Sequence, residues 1–133
     1  MIKKIAYSLV LSVSVLLALA SAIIAQATAF KDVKYYLRSS PNSKPDKKDV
    51  VLNLDKRGRA IILVADNRVL CSIPFEWIKD INYERKNNHL VTVQYKDISG
   101  QGLFAQFELN GGNRDQILAS IEAETGVRIT RVS

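Results

Sequence analysis

Val50, Leu52 and Leu54 alternate with Asn53 and Asp55, the period of two that a half-buried strand needs. Lys56-Arg57-Gly58-Arg59 then supplies a turn, and residues 60–65 run apolar on both faces, as a central strand does. Asp66-Asn67-Arg68 turns the chain again. Val69, Cys71, Ile73 and Phe75 are expected to line one face of the next strand, with Pro74 ending its ladder or holding it at a sheet edge. Glu76-Trp77-Ile78-Lys79-Asp80 reads as a bend into a strand over 81–85, and Asn87-Asn88 as a hairpin turn, because asparagine tolerates positive φ. Val91, Val93 and Tyr95 oppose Thr92, Gln94 and Lys96 on the next strand. Past Ser99-Gly100-Gln101-Gly102, Leu103, Ala105, Phe107 and Leu109 alternate with Gln106 and Glu108. That is the clearest amphipathic strand in the chain.

The period then lengthens. Asn113 stands where an N-cap belongs, with Gln116 three residues on in the capping-box position. Ile117, Leu118 and Ile121 form a narrow apolar stripe, and Gly126 is placed as a C′ terminator. The spacing predicts a helix over 113–125 and a short last strand or tail over 127–130. Ahead of these elements, residues 30–37 could pair as an edge strand, while 39–48 carry the prolines, serines and charges of a loop. Residues 28–49 are therefore read as a lead-in, and the compact part as starting near Val50. The fold class expected is mainly β (α+β). It is a small bent antiparallel sheet or split barrel of about six to seven strands, closed by one C-terminal helix.

The first 27 residues have a different pattern. Lys3 and Lys4 precede an apolar stretch over 5–25 that is broken only by hydroxyl and small residues. Ala25-Gln26-Ala27 then puts small residues at −3 and −1 of a cut before Thr28. Charged start, apolar middle and small-residue exit make a secretory signal peptide. The alternative is an uncleaved anchor, since the apolar stretch is long enough to cross a bilayer. The expected location is periplasmic or extracellular, or membrane-anchored in the second case.

Export changes the charge. The whole chain carries a net +6, but Lys3 and Lys4 leave with the signal, so 17 basic and 13 acidic side chains remain. A net +4 permits contact with an anionic surface without requiring it. Nucleic acid is not an expected partner, because clustered Lys/Arg with interleaved aromatics is missing. A single cysteine, Cys71, excludes an intramolecular disulfide, so the domain must rest on its hydrophobic core.

The order of many antiparallel strands followed by one closing helix resembles the pleckstrin-homology-like superfold, including its GRAM and bacterial PH-like branches. The resemblance covers residues 50–126. It is carried by Ile73-Pro74-Phe75 leading to Trp77-Ile78 and Ile81, by Val91-Thr92-Val93-Gln94-Tyr95, by Phe104-Ala105-Gln106-Phe107, and by the closing 117–126 with its final Gly126. An eight-stranded up-and-down barrel and a generic α+β roll stay open. The resemblance implies a binding domain for lipid head groups, peptides or proteins, and seldom an enzyme.

It also draws attention to Lys56, Arg57 and Arg59, since relatives of that kind hold inositol phosphates through basic residues in the corresponding loop. Read from the residues alone, the same run is a solvated turn. Tyr35 and Tyr36 in the lead-in, and Trp77 at the bend, are the candidate partner contacts. Packing under the sheet end is the other reading of Trp77 with Phe75 and Tyr83. His89 has no second histidine, so no metal site is expected. Cys71, between apolar neighbours, reads as a small core residue. Gly111-Gly112 opens the helix without a phosphate-loop pattern. No cofactor motif and no catalytic set is legible. The chain reads as an exported, non-catalytic binding module for a protein partner or an anionic envelope surface. The alternatives are an assembly subunit acting through a free sheet edge, and a hydrolase whose site is invisible in sequence.

Overall fold

The alternating segments fold as strands of one open sheet, and the segment with helical spacing packs onto it. A computed structural model describes residues 27–38 and 42–132. The segment read from sequence as a signal peptide, apart from Ala27, lies outside the described residues, as do Ser39, Ser40, Pro41 and Ser133. The strands are β1 (Ala27–Leu37), β2 (Asp46–Asp55), β3 (Ala60–Ala65), β4 (Arg68–Pro74), β5 (Ile78–Glu84), β6 (Leu90–Lys96), β7 (Gly102–Leu109) and β8 (Thr130–Val132). The helix α1 is Arg114–Thr125. Their order across the sheet is β4-β3-β2-β1-β7-β6-β5-β8. The described pairs are antiparallel except for β5 with β8, which run parallel.

The eight strands exceed the expected six to seven, and β1 redraws the boundary near Val50. β1 is inside the sheet, between β2 and β7, where the sequence suggested an edge. Phe30 and Val33 from β1 are buried in the core. The physical reason for the mismatch is a bulge. The register shifts between Phe30 and Val33, and Asp32 takes a φ of 62°, so the inward residues are three apart instead of two. β2 likewise begins four residues before Val50, pairing Asp46 to Asp49 with the outer half of β1.

A second irregularity corrects Val69. β3 and β4 match Ile61 with Ile73 and Leu63 with Cys71, then slip so that Val64 faces Val69. A slip of one residue turns a side chain to the other face. Val69 is consequently 63% exposed, while Cys71 packs against the core. Pro74 ends β4, the outermost strand on that side, where its missing N–H is harmless. A single 3-10 turn over Phe75–Trp77 follows, anchored by the Phe75 N–H donating to the Arg59 carbonyl at 2.8 Å.

The helix begins and ends almost where its spacing predicts, and Ile117, Leu118 and Ile121 are fully buried beneath it. Its C-terminus behaves as expected. Gly126 adopts a φ of 71°, and its N–H donates to the Glu122 carbonyl at 3.0 Å. The capping box does not form. Asn113 has φ −98° and ψ 20°, outside the extended conformation that lets a cap side chain reach back, and its Oδ1 is buried without a partner. After Gly126 the chain returns beside the helix, with the Ile129 N–H donating to Glu122 Oε1 at 3.2 Å, and delivers β8 to the edge of β5.

Candidate functional site

The basic turn sits at the far end of α1. Asp55 Oδ1 accepts the Gly58 N–H at 2.9 Å, closing the turn. A Cβ on Gly58 would come within 2.4 Å of Asp55 Oδ2, so a larger residue there requires the Asp55 carboxylate to shift. The three cations do not converge on one point. Lys56 Nζ lies 3.4 Å from Glu124 Oε1 in the last turn of α1. The Arg59 guanidinium lies over the Phe75 ring, 5.9 Å from its centroid. Arg57 is exposed. Positive charge beside a helix C-terminus is stabilising, which gives this turn a structural reason for its composition.

Tyr36 and Tyr35 are both placed by β1, and they point to opposite faces. The Tyr36 hydroxyl donates to Glu108 Oε1, and Lys47 Nζ pairs with the same oxygen at 2.7 Å. Lys47 also sits over the Tyr36 ring, 5.3 Å from its centroid. Among the described residues, Glu108 is the one buried charged side chain, at 4% exposure. Burial pushes its carboxyl up, but the Lys47 ammonium and the Tyr36 hydroxyl outweigh it and hold the pKa below the usual glutamate value. A depressed carboxylate pKa stabilises the fold above the unfolded-state value, and that contribution is lost as the pH falls through the folded-state value. Glu108→Gln should therefore lower the melting temperature by about 4 °C at pH 7. The gap from the unsubstituted protein should close as the pH falls below about 4, in thermal melts followed by circular dichroism. An unchanged gap at low pH would mean the charge of Glu108 is not what matters.

Tyr35 faces the core and lies beside Cys71. Burial pushes the Cys71 thiol up, partly offset by the neighbouring Tyr35 hydroxyl, so the thiolate needed for nucleophilic chemistry is disfavoured. Trp77 is half-buried and stacks on Tyr95, with ring centroids 6.5 Å apart and planes at 13°. Tyr95 in turn lines a shallow hollow of about 240 Å3 with Lys79, Lys96, Leu103 and Phe104. Phe104 is 53% exposed there.

A second set of cations, which line one groove, was not singled out in the sequence. Arg85, just after β5, Arg114, at the start of α1, and Arg131, in β8, line one groove of about 540 Å3. Tyr83, His89, Gly112, Asp115 and Val132 complete its wall. Local structure explains the placement. Tyr83 and Arg131 are register partners across the parallel β5–β8 pair, and the Arg85 N–H donates to the Val132 carbonyl at 3.2 Å. Arg114 Nε donates to the Leu109 carbonyl at 2.8 Å, which fixes the guanidinium base and leaves its terminal N–H groups for other acceptors. The Tyr83 hydroxyl and His89 Nδ1 are 2.7 Å apart, and the two rings stack. Glu84, on the other face of β5, accepts from Asn87 Nδ2 instead.

None of the three arginines ion-pairs with a carboxylate among the described residues. One signal in the sequence could have drawn attention to the groove. An arginine at the first position of a helix opposes the helix dipole, and Arg114 occupies that position. Lys56, paired to the last turn of α1, and Arg114, at its first, are separated by the length of a twelve-residue helix, about 18 Å. The two basic clusters are thus separate places on the molecule. Among the described residues no three of His, Cys, Asp and Glu come together as a metal site, and no helix is long and apolar enough to cross a membrane. Searches against known protein families and against curated proteins find no match to this chain.

Proposed function

We propose that the chain is an exported, non-catalytic binding module of PH-like architecture whose ligand is anionic. The observation that carries this reading is the groove lined by Arg85, Arg114 and Arg131, none of which ion-pairs with a carboxylate among the described residues. Guanidinium groups are the side chains best suited to hold carboxylate or phosphate, through paired, charge-assisted hydrogen bonds. The PH-like architecture is supported by the meander β1-β2-β3-β4, the second meander β5-β6-β7, and the single helix that follows them. Export is supported by the charged, apolar and small-residue order of residues 1–27. The binding role is supported over catalysis by the state of Cys71, whose thiol is raised by burial, and by Tyr83, whose hydroxyl is already engaged with His89.

A titration with sodium sulfate, followed through backbone amide chemical shifts, tests the reading. Shifts should concentrate at Arg85, His89, Gly112, Arg114, Arg131 and Val132, and should weaken as sodium chloride is added. Shifts confined to residues 56–59 would move the site to the β2–β3 turn, and a spectrum without localised shifts would remove the anion altogether. A protein partner is the second reading, favoured by the Trp77–Tyr95 stack beside the exposed Phe104. Aromatic anchors of that kind are common at interface centres.

A further inference from the structure

We infer that the arginine groove is a site for a phosphomonoester dianion, whether carried by a soluble molecule or by a lipid headgroup. This rests on the anion-binding reading above and narrows it. The first ground is charge. Among the described residues, three guanidinium groups and the Asp115 carboxylate line the groove, which leaves a net two positive charges to be matched. A phosphomonoester carries about 1.5 to 2 negative charges at pH 7, while a phosphodiester or a simple carboxylate carries about one. A monoanion would leave one guanidinium without a counter-charge; a dianion balances the set.

The second ground is the supply of donors. The donors come from three different elements, the β5–β6 connection, the first turn of α1 and β8, all lining the same groove. A terminal phosphate presents three acceptor oxygens, enough for one from each arginine. A carboxylate has only two oxygens in one plane and suits a single fork. Arg114 is held through its Nε on the Leu109 carbonyl, so part of the donor set is positioned in advance of the ligand. The third ground is room. About 540 Å3 exceeds the size of a phosphate group, and the lining includes Val132, which is 49% exposed and offers an apolar surface to the organic part of an ester.

The experiment is a set of calorimetric titrations of the purified protein at one ionic strength. The probes are glycerol 3-phosphate, a monoester, dimethyl phosphate, a diester, and acetate. Co-sedimentation with phosphatidylcholine vesicles containing phosphatidic acid or phosphatidylglycerol runs alongside. Glycerol 3-phosphate, or vesicles bearing phosphatidic acid, should bind at least tenfold more tightly than the matched monoanion. Arg131→Ala should remove at least a tenfold share of that affinity while keeping the melting transition. Should Arg131→Ala fail to fold, Arg85→Ala serves the same purpose on an exposed residue of a connection. Binding of free glycerol 3-phosphate identifies a soluble ester as sufficient; binding only of phosphatidic acid vesicles identifies the lipid headgroup as the source. Equal affinity for monoester and diester would overturn the dianion inference while the anion-binding reading stood. No binding of any probe would overturn both.

Discussion

A chain shortened to begin at Val50 is expected to lose its cooperative unfolding transition altogether. β1 stands between β2 and β7 in the sheet, so it joins the meander of β2, β3 and β4 to the meander of β7, β6 and β5. Removing it takes away the buried Phe30 and Val33 and leaves β2 and β7 with bare hydrogen-bonding edges. Each unpaired group in a former sheet interior carries a cost comparable to a lost hydrogen bond. A domain of this size has only about 5–15 kcal/mol of net stability to lose. Near-ultraviolet circular dichroism and urea denaturation of residues 50–133 would show the result directly. A sigmoidal transition in that shortened chain would mean that β1 is an accessory strand.

Phe107→Ala should cost about 3–5 kcal/mol, a large fraction of the same total. Phe107 is fully buried on β7, paired with Tyr35 on one side and Val91 on the other, so it touches both halves of the sheet. With a typical urea dependence the midpoint should fall by about 2 M. Phe104 is the internal control, because it is the same residue type on the same strand but faces outward. Phe104→Ala should stay within about 0.5 kcal/mol of the parent. Equal losses at the two positions would contradict the assigned inner face of β7.

How much of this was legible in the sequence depends on where the strict period of two survives. β6, β7 and α1 were readable because their apolar positions follow one period without interruption, and β3 because it is an unbroken apolar run between two turns. β1 was legible only as an edge strand over 30–37, since the bulge at Asp32 puts Phe30 and Val33 out of step and hides its place inside the sheet. Val69 was misplaced for the same kind of reason, a slip between β3 and β4 that no local pattern announces. The capping box at Asn113 and Gln116 had the right letters but the wrong backbone angles. Of the residues singled out, Tyr35 turns out to face the core, Tyr36 to hold Glu108, and Lys56, Arg57 and Arg59 to take different surroundings around the end of α1. The groove lay beyond local reading. Its arginines are spread along the chain at positions 85, 114 and 131, and only the return of β8 to β5 brings them together.

The claim that matters most is that Arg85, Arg114 and Arg131, and not the β2–β3 turn, form the anion site. One measurement decides it: the affinity for glycerol 3-phosphate of two double variants, Arg85→Ala/Arg131→Ala and Arg57→Ala/Arg59→Ala, beside the unsubstituted protein. Hydrogen bonds to charged groups contribute about 1.5–3 kcal/mol each, and about 1.4 kcal/mol is a factor of ten in binding. The groove variant should lose at least a hundredfold, and the turn variant less than about threefold from long-range charge alone. The opposite ranking, or equal losses in the two variants, would contradict the assignment of the site to the groove.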